Sequence, residues 1–205
     1  MKKLADNITF FLLSQKAISK EDFEVYSYGI EYILSFSINM IGILVIAFVT
    51  NSLLSTVGFI MGFFGLRSSS GGYHASTHFK CLIISYCTIC FNTLFSLLCS
   101  QYQFLNISVL IIIISVLSIS LIFVYSPCDH INRPFSKNEY IKFKKQSQIF
   151  VIMGSLISIF GSLIFKNMFF LSICIGILVA SVSVALVKIK GGFLYENEIK
   201  SIQKY

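Results

Sequence analysis

The sequence predicts an all-α integral membrane protein of about six transmembrane helices, folded as one domain over residues 1–205. Hydrophobic residues make up 56% of the chain and charged residues only 12%, whereas a typical soluble domain is about 25% charged. Most of the apolar segments are long enough for a helix of roughly 20 residues to cross the hydrocarbon core. The six segments are 30–49, 53–66, 82–100, 104–125, 149–165 and 168–187.

The N-terminal region, 1–25, predicts an amphipathic helix that lies on the membrane surface. Leu4, Ile8, Phe11 and Leu12 share one face at helical spacing, and charged residues occupy the other face. We expect the apolar face to contact membrane lipid. The tetrapeptide SKED then predicts the start of the helix that becomes the first span, with Ser19 as its N-cap.

The second apolar segment differs from the other five. It is short and contains three glycines, Gly58, Gly62 and Gly65. This composition is typical of a short or broken helix. The segment leads directly into the polar stretch RSSSGGYHASTHFKC, residues 67–81, which concentrates chemically reactive side chains between two apolar segments.

The basic residues indicate how the chain crosses the membrane. Successive connections between the six spans lie on alternate sides of the membrane. Of the 16 Lys and Arg residues, only Lys166 lies in the first, third or fifth connection. By the positive-inside rule, both termini, the polar stretch and the basic loop 126–148 are then cytoplasmic. Because the net charge of +7 follows this topology, we expect no nucleic-acid partner.

One interpretation of the polar stretch is a cysteine nucleophile. Cys81 would attack and His74 or His78 would be its base, because a nearby imidazole raises the fraction of reactive thiolate. His78 lies three residues before Cys81 and touches it in an ordinary helix. His74 lies seven residues before Cys81, about 10 Å away along a helix. It reaches the thiol only if the backbone bends, and the glycine pair upstream is typical of irregular backbone.

A second interpretation is a metal site, because two histidines four residues apart share a helix face and Cys81 continues that face. The candidates for a fourth ligand are Cys128, Asp129 and His130. The nucleophile interpretation needs neither a metal nor another cofactor, and we expect none.

Three further alternatives stay open. Cys87 and Cys90 form a CxxC pair typical of thiol–disulfide exchange, although two small core residues in an apolar span explain it far better. A peptide transporter would need polar groups along several spans, which here hold chiefly Asn39 and Asn92. Finally, residues 67–81 could be a plain cytoplasmic turn with basic anchors.

The segment GGYHA, preceded by Arg67 and followed by Cys81, occurs together with SPCDHINRPF at 126–135. This combination resembles the AgrB family, the accessory gene regulator protein B membrane peptidases of Gram-positive quorum sensing. The resemblance covers nearly the whole chain. It implies a cell-membrane enzyme that cleaves a small precursor peptide on the cytoplasmic side, with His74 and Cys81 as catalytic residues. Arg133 stands where the family often has lysine.

The resemblance also implies the course of the reaction. Cys81 would form a thioester with the precursor, and a thiol of the precursor would then release a cyclic thiolactone. On chemical grounds Asp129 is a candidate to orient the histidine, and Glu31 is a weaker one. Further supporting candidates, including backbone N–H groups that could bind an oxyanion, are Arg67, Gly71, Gly72 and His78.

The basic loop predicts how the precursor would be bound. Its cations would attract the acidic tail of an AgrD-like precursor, or equally anionic lipid. These residues are Arg133, Lys137, Lys142, Lys144 and Lys145. The amphipathic leader of such a precursor could meet the N-terminal helix. We also expect a homodimer, because 205 residues enclose little space for a peptide.

Overall fold

The structure is a computed structural model that describes residues 2–72, 78–101, 106–128, 135–165 and 167–202, without the side chains of His78 and of residues 190–202. Every regular element within these ranges is an α-helix. The helices are α1 (Lys2–Ser14), α2 (Phe23–Val49), α3 (Leu53–Ser70), α4 (His78–Gln101), α5 (Ile107–Tyr125), α6 (Lys137–Phe165) and α7 (Met168–Ile202).

Five helices of the described chain are long and apolar enough to cross a membrane, and they lie in α2, α4, α5, α6 and α7. This confirms the predicted all-α membrane class, and the protein is a multi-pass membrane protein. α3 is not one of the five, since its last turn consists of Arg67 and three serines. The sides on which the termini lie stay a prediction, and Lys166 is outside the described residues.

Of the two forms predicted for the second apolar segment, a short or a broken helix, the structure shows a continuous helix of 18 residues. Its glycines serve close packing instead. A Cβ on Gly62 would collide with the carbonyl oxygen of Ile173, and one on Gly58 would lie 2.6 Å from that of Phe169. Such small residues let two helix backbones approach closely within a membrane. α3 and α7 therefore run side by side in the same direction through the bundle.

The N-terminal helix packs against the start of α2. Ala5 and Thr9 are fully buried, and the Ser27 hydroxyl donates a hydrogen bond of 2.6 Å to the Asp6 carboxylate. Of the four apolar residues predicted to share a face, Leu4, Ile8 and Phe11 are exposed and Leu12 is half-buried. Contact between this face and lipid stays a prediction that the exposed side chains support.

The predicted cap of the first span is wrong. α2 begins at Phe23, and its N-cap is Asp22 rather than Ser19. The Ser19 hydroxyl instead donates a hydrogen bond of 2.7 Å to the Asp22 carboxylate. The same hydroxyl accepts a hydrogen bond of 3.3 Å from the Asp22 N–H. Ser19 therefore closes the turn that precedes α2 instead of capping the helix.

The hydrophobic core continues to the end of the bundle where the polar stretch begins. Leu66 on α3, Ile122 on α5, Val151 on α6 and Ile177 on α7 are fully buried in one cluster. Cys128 belongs to the same cluster. The segment after α5 is thus held against the core, next to the end of α3.

Candidate active site

Cys81 lies three residues after the start of the described part of α4, and its side chain is exposed. It lines a cavity of about 230 Å³ formed mainly by α2, α3 and α4. The thiol is therefore accessible and suitably placed for nucleophilic chemistry.

Arg67, in the last turn of α3, lines this cavity and also contacts α7. Its guanidinium lies over the ring of Phe63, 5.5 Å from the centroid, and donates a hydrogen bond of 3.5 Å to the Ser183 hydroxyl. It lines the same cavity as Cys81 and Tyr32. A fixed positive charge is therefore held near the thiol, where negative charge would develop during acyl transfer.

The glycine pair connects the first motif to the second. Gly71 adopts a φ of 72°, and a Cβ there would collide with the carbonyl oxygen of Cys128. The Cys128 N–H donates a hydrogen bond of 2.9 Å to the Ser70 carbonyl, and Gly71 and Cys128 form a parallel β-bridge. The two motifs that the sequence analysis treated together are thus in direct backbone contact.

The glycine N–H groups are not equivalent as oxyanion donors. The Gly71 N–H already donates a hydrogen bond of 3.2 Å to the Arg67 carbonyl and closes the end of α3. Gly72 has a φ of 132°, and a Cβ there would lie 2.6 Å from the Ser183 hydroxyl. Of the predicted pair, Gly72 is the better candidate.

The basic loop is shorter than predicted, because α6 begins at Lys137. Ser136 and Glu139 form a reciprocal capping box, with bonds of 3.0 and 3.3 Å. The signal S-x-x-E was present in the sequence and was missed. The lysines predicted to bind substrate therefore lie on the first turns of a helix, exposed or half-buried: Lys137, Lys142, Lys144 and Lys145.

Several predicted residues lie outside the described part of the chain. They are His74, Asp129, His130, Arg133 and the side chain of His78. The choice of base, the orienting carboxylate and the required bend between His74 and Cys81 therefore stay predictions. The described residues contain no group of three or more potential metal ligands, but the proposed metal site depends on His74, so it is untested. Cys87 and Cys90 are free and exposed on α4.

The sequence analysis missed most of the polar wall of the cavity. Tyr32, Ser35 and Asn39 line it from α2, and Ser183 lines it from α7. A signal was available, since the three α2 residues follow helical spacing within an otherwise apolar span. Polar groups on one face of a membrane helix usually face the protein interior or a cavity.

Comparison with known proteins agrees with this arrangement. The family model described as AgrB, accessory gene regulator B, matches residues 4–184, which include both motifs and every cavity-lining residue named above. No curated protein and no solved structure matches the chain. The chain belongs to the AgrB family, whose members take part in processing the precursor peptide of a quorum-sensing system.

Proposed function

We propose that this protein is a membrane cysteine endopeptidase that cleaves a small AgrD-like precursor and promotes its cyclisation to a thiolactone. The observation that carries the proposal is the meeting of four features at one end of the bundle. They are an exposed Cys81 at the start of α4, the guanidinium of Arg67, an apolar cavity beside both, and the backbone bridge from Gly71 to the second motif.

In the first step the sulfur of Cys81 bonds to the carbonyl carbon of the scissile peptide bond. His74 takes the thiol proton and later gives it to the leaving amine as the C–N bond breaks. Arg67 and the N–H of Gly72 would stabilise the oxyanion of the tetrahedral intermediate. The product is an acyl-enzyme thioester and a free C-terminal fragment.

In the second step a thiol of the precursor attacks the same carbonyl carbon. His74 takes the proton of the precursor thiol, the new thioester closes a ring in the precursor, and the thiolate of Cys81 leaves and receives that proton. Exchange between two thioesters is close to balanced, so the acyl group stays activated. The apolar wall of the cavity limits the water that would otherwise hydrolyse the acyl-enzyme.

The basic start of α6 would hold the acidic tail of the precursor. Lys142 and Lys145 are exposed near the second motif, because the Ser126 and Ser147 hydroxyls, 2.7 Å apart, join that motif to α6. Opposite charges at such a surface increase the rate of encounter more than the final affinity. Anionic lipid is the competing partner of the same lysines.

The test is the fate of the precursor, followed by mass spectrometry in cells that co-express both chains. Cys81→Ala should reduce cleavage by at least about a thousandfold, as expected for loss of a nucleophile. Cys87→Ala is the matched control, since it removes an exposed thiol from the same helix. Cleavage that survives Cys81→Ala would falsify the nucleophile assignment.

The base is tested by the same assay with a pair of histidine variants. His74→Ala should abolish cleavage and His78→Ala should retain most of it. The reverse result would assign the role of the base to His78. If metal analysis finds a stoichiometric ion in the wild type that is lost from His74→Ala, the metal site is favoured instead.

A further inference from the structure

The cavity beside Cys81 extends from the thiol into the bundle. The Asn39 amide on α2 donates a hydrogen bond of 3.1 Å to the Ser85 hydroxyl on α4. Ser85 lies one helical turn after Cys81, about 6 Å along the axis. Asn39 and Ser85 thus line the cavity about one helical turn deeper in the bundle than Cys81, and Arg67 lines the same cavity.

Two polar atoms of the cavity lack hydrogen bonds within the described part of the chain. They are the hydroxyl oxygen of Ser35 and the side-chain carbonyl oxygen of Asn39, and both are buried. Leaving such an atom unsatisfied costs about 1–3 kcal/mol, and native structures contain few of them. Because these acceptors lie about one helical turn from Cys81, they are placed to accept a hydrogen bond from the N–H of a peptide that is bound for acyl transfer.

The remaining wall restricts what else can enter. It is largely apolar and includes the rings of Phe36, Phe59, Phe63 and Phe64. The described lining includes the cation Arg67 and no carboxylate, so a lysine or arginine side chain would be repelled by Arg67 and would find no carboxylate to pair with there. A volume of about 230 Å³ is below the roughly 300–1,000 Å³ of pockets for whole small ligands. It fits part of a ligand.

We propose that this cavity is the subsite for the precursor residue whose carbonyl Cys81 attacks, and that it selects a large aromatic side chain there. The ring would pack against the Phe side chains, and the Asn39 carbonyl oxygen would accept a peptide N–H. This inference rests on the proposed function, because it takes Cys81 as the nucleophile. The cavity makes Tyr32, Ser35 and Asn39 specificity-determining residues.

The test uses alkylating probes on the full chain in lipid nanodiscs. N-acetyl-phenylalanine, N-acetyl-alanine and N-acetyl-lysine chloromethyl ketones differ in the side chain that would enter the cavity. A decyl chloromethyl ketone mimics a lipid chain. In each reaction the thiolate displaces chloride to form a thioether, and the thiol proton passes to buffer.

Peptide mapping gives the rate at which each probe labels Cys81. That rate is divided by the rate of iodoacetamide labelling at Cys81 and by the rate at which the same probe reacts with glutathione.

The phenylalanine probe should label Cys81 at least about tenfold faster than the alanine or lysine probe, which is the discrimination typical of an apolar pocket. Ser35→Leu fills the cavity and should remove this preference. Ser37→Leu is the matched control, because Ser37 is exposed on the same helix and does not line the cavity. Thr88→Leu, which fills the cavity from α4, should repeat the loss.

Three results would overturn the subsite. The first is a phenylalanine probe that labels Cys81 within about twofold of the rate of the alanine probe. The second is a preference for phenylalanine that survives in folded Ser35→Leu and Thr88→Leu proteins, and the third is a decyl probe that reacts as fast as the phenylalanine probe. The last would assign the cavity to a lipid chain. The assignment of Cys81 as nucleophile is tested separately. If iodoacetamide labels Cys81 no faster than Cys87, that assignment is contradicted, whatever the preference among the other probes.

Discussion

The contact between α3 and α7 and the space between α2 and α4 are built in opposite ways. Along α3 and α7, glycines bring two backbones together so closely that a single added methyl group at Gly62 meets a carbonyl oxygen. α2 and α4 touch through the hydrogen bond between Asn39 and Ser85, but they leave a cavity of about 230 Å³ against α3, which holds two buried acceptors without partners in the described chain. Arg67 touches both regions.

The two regions would therefore have different roles in the site. A functional group must be held firmly if it is to stabilise a transition state, and rigid elements do this better than loops. A substrate side chain, in contrast, needs space that the protein does not fill itself. The close-packed pair would hold Arg67 and the glycine turn, and the loosely packed pair would admit the peptide beside Cys81.

The largest effect is expected in the close-packed region. Gly62→Leu adds a side chain against the backbone of α7, and overpacking of this kind costs about 3 kcal/mol or more. We expect the thermal midpoint in detergent to fall by about 10 °C, or folded protein to be lost. Size-exclusion chromatography after heating measures this.

Gly29→Leu is the control for that variant. A Cβ on Gly29 meets nothing within 4 Å, so the same substitution on α2 should change the midpoint by less than about 2 °C. If the two glycine variants behave alike, close packing of α3 on α7 does not stabilise the bundle.

The next effect is expected where the two regions meet. Arg67→Ala removes the positive charge near Cys81 and should lower the rate of precursor cleavage by about a hundredfold, as for loss of one oxyanion-stabilising group. Arg67→Lys keeps the charge but not the planar stacking on Phe63, so it should recover part of the rate. Single-turnover cleavage by purified protein measures both.

A purely structural role for Arg67 predicts a different pattern. Arg67→Ala would then lower the thermal midpoint and the cleavage rate together, and Arg67→Lys would restore neither. Cleavage by Arg67→Ala within about threefold of wild type would remove Arg67 from the chemistry altogether.

The smallest effect is expected outside both regions, on the basic start of α6. Replacing Lys142 and Lys145 by Ala should slow cleavage about threefold at low salt, since exposed charges act mainly on encounter. The difference should vanish at high salt, where the Debye length shrinks to about 3 Å. Cleavage rates at two salt concentrations measure it, and a salt-independent defect would contradict electrostatic attraction of an acidic tail.

The α2 side of the site shows why sequence reasoning found only part of it. Cys81 and Arg67 stood out because charged or reactive side chains beside an apolar span need a reason. Ser35 and Asn39 carry a weaker signal, since a single Ser or Asn in a membrane helix has many uses. Their role depends on which helix they face, and that is settled by contacts between segments far apart in the chain.

The sequence by itself determined the membrane class, the apolar segments and the family. These follow from composition and from residues close together along the chain, because each span must satisfy its own backbone and bury its apolar surface whatever its neighbours are. Tertiary structure alone decided that α3 is continuous, that Gly71 meets Cys128, and that a cavity opens beside Cys81. Each of these depends on how closely two backbones approach, which no single segment specifies.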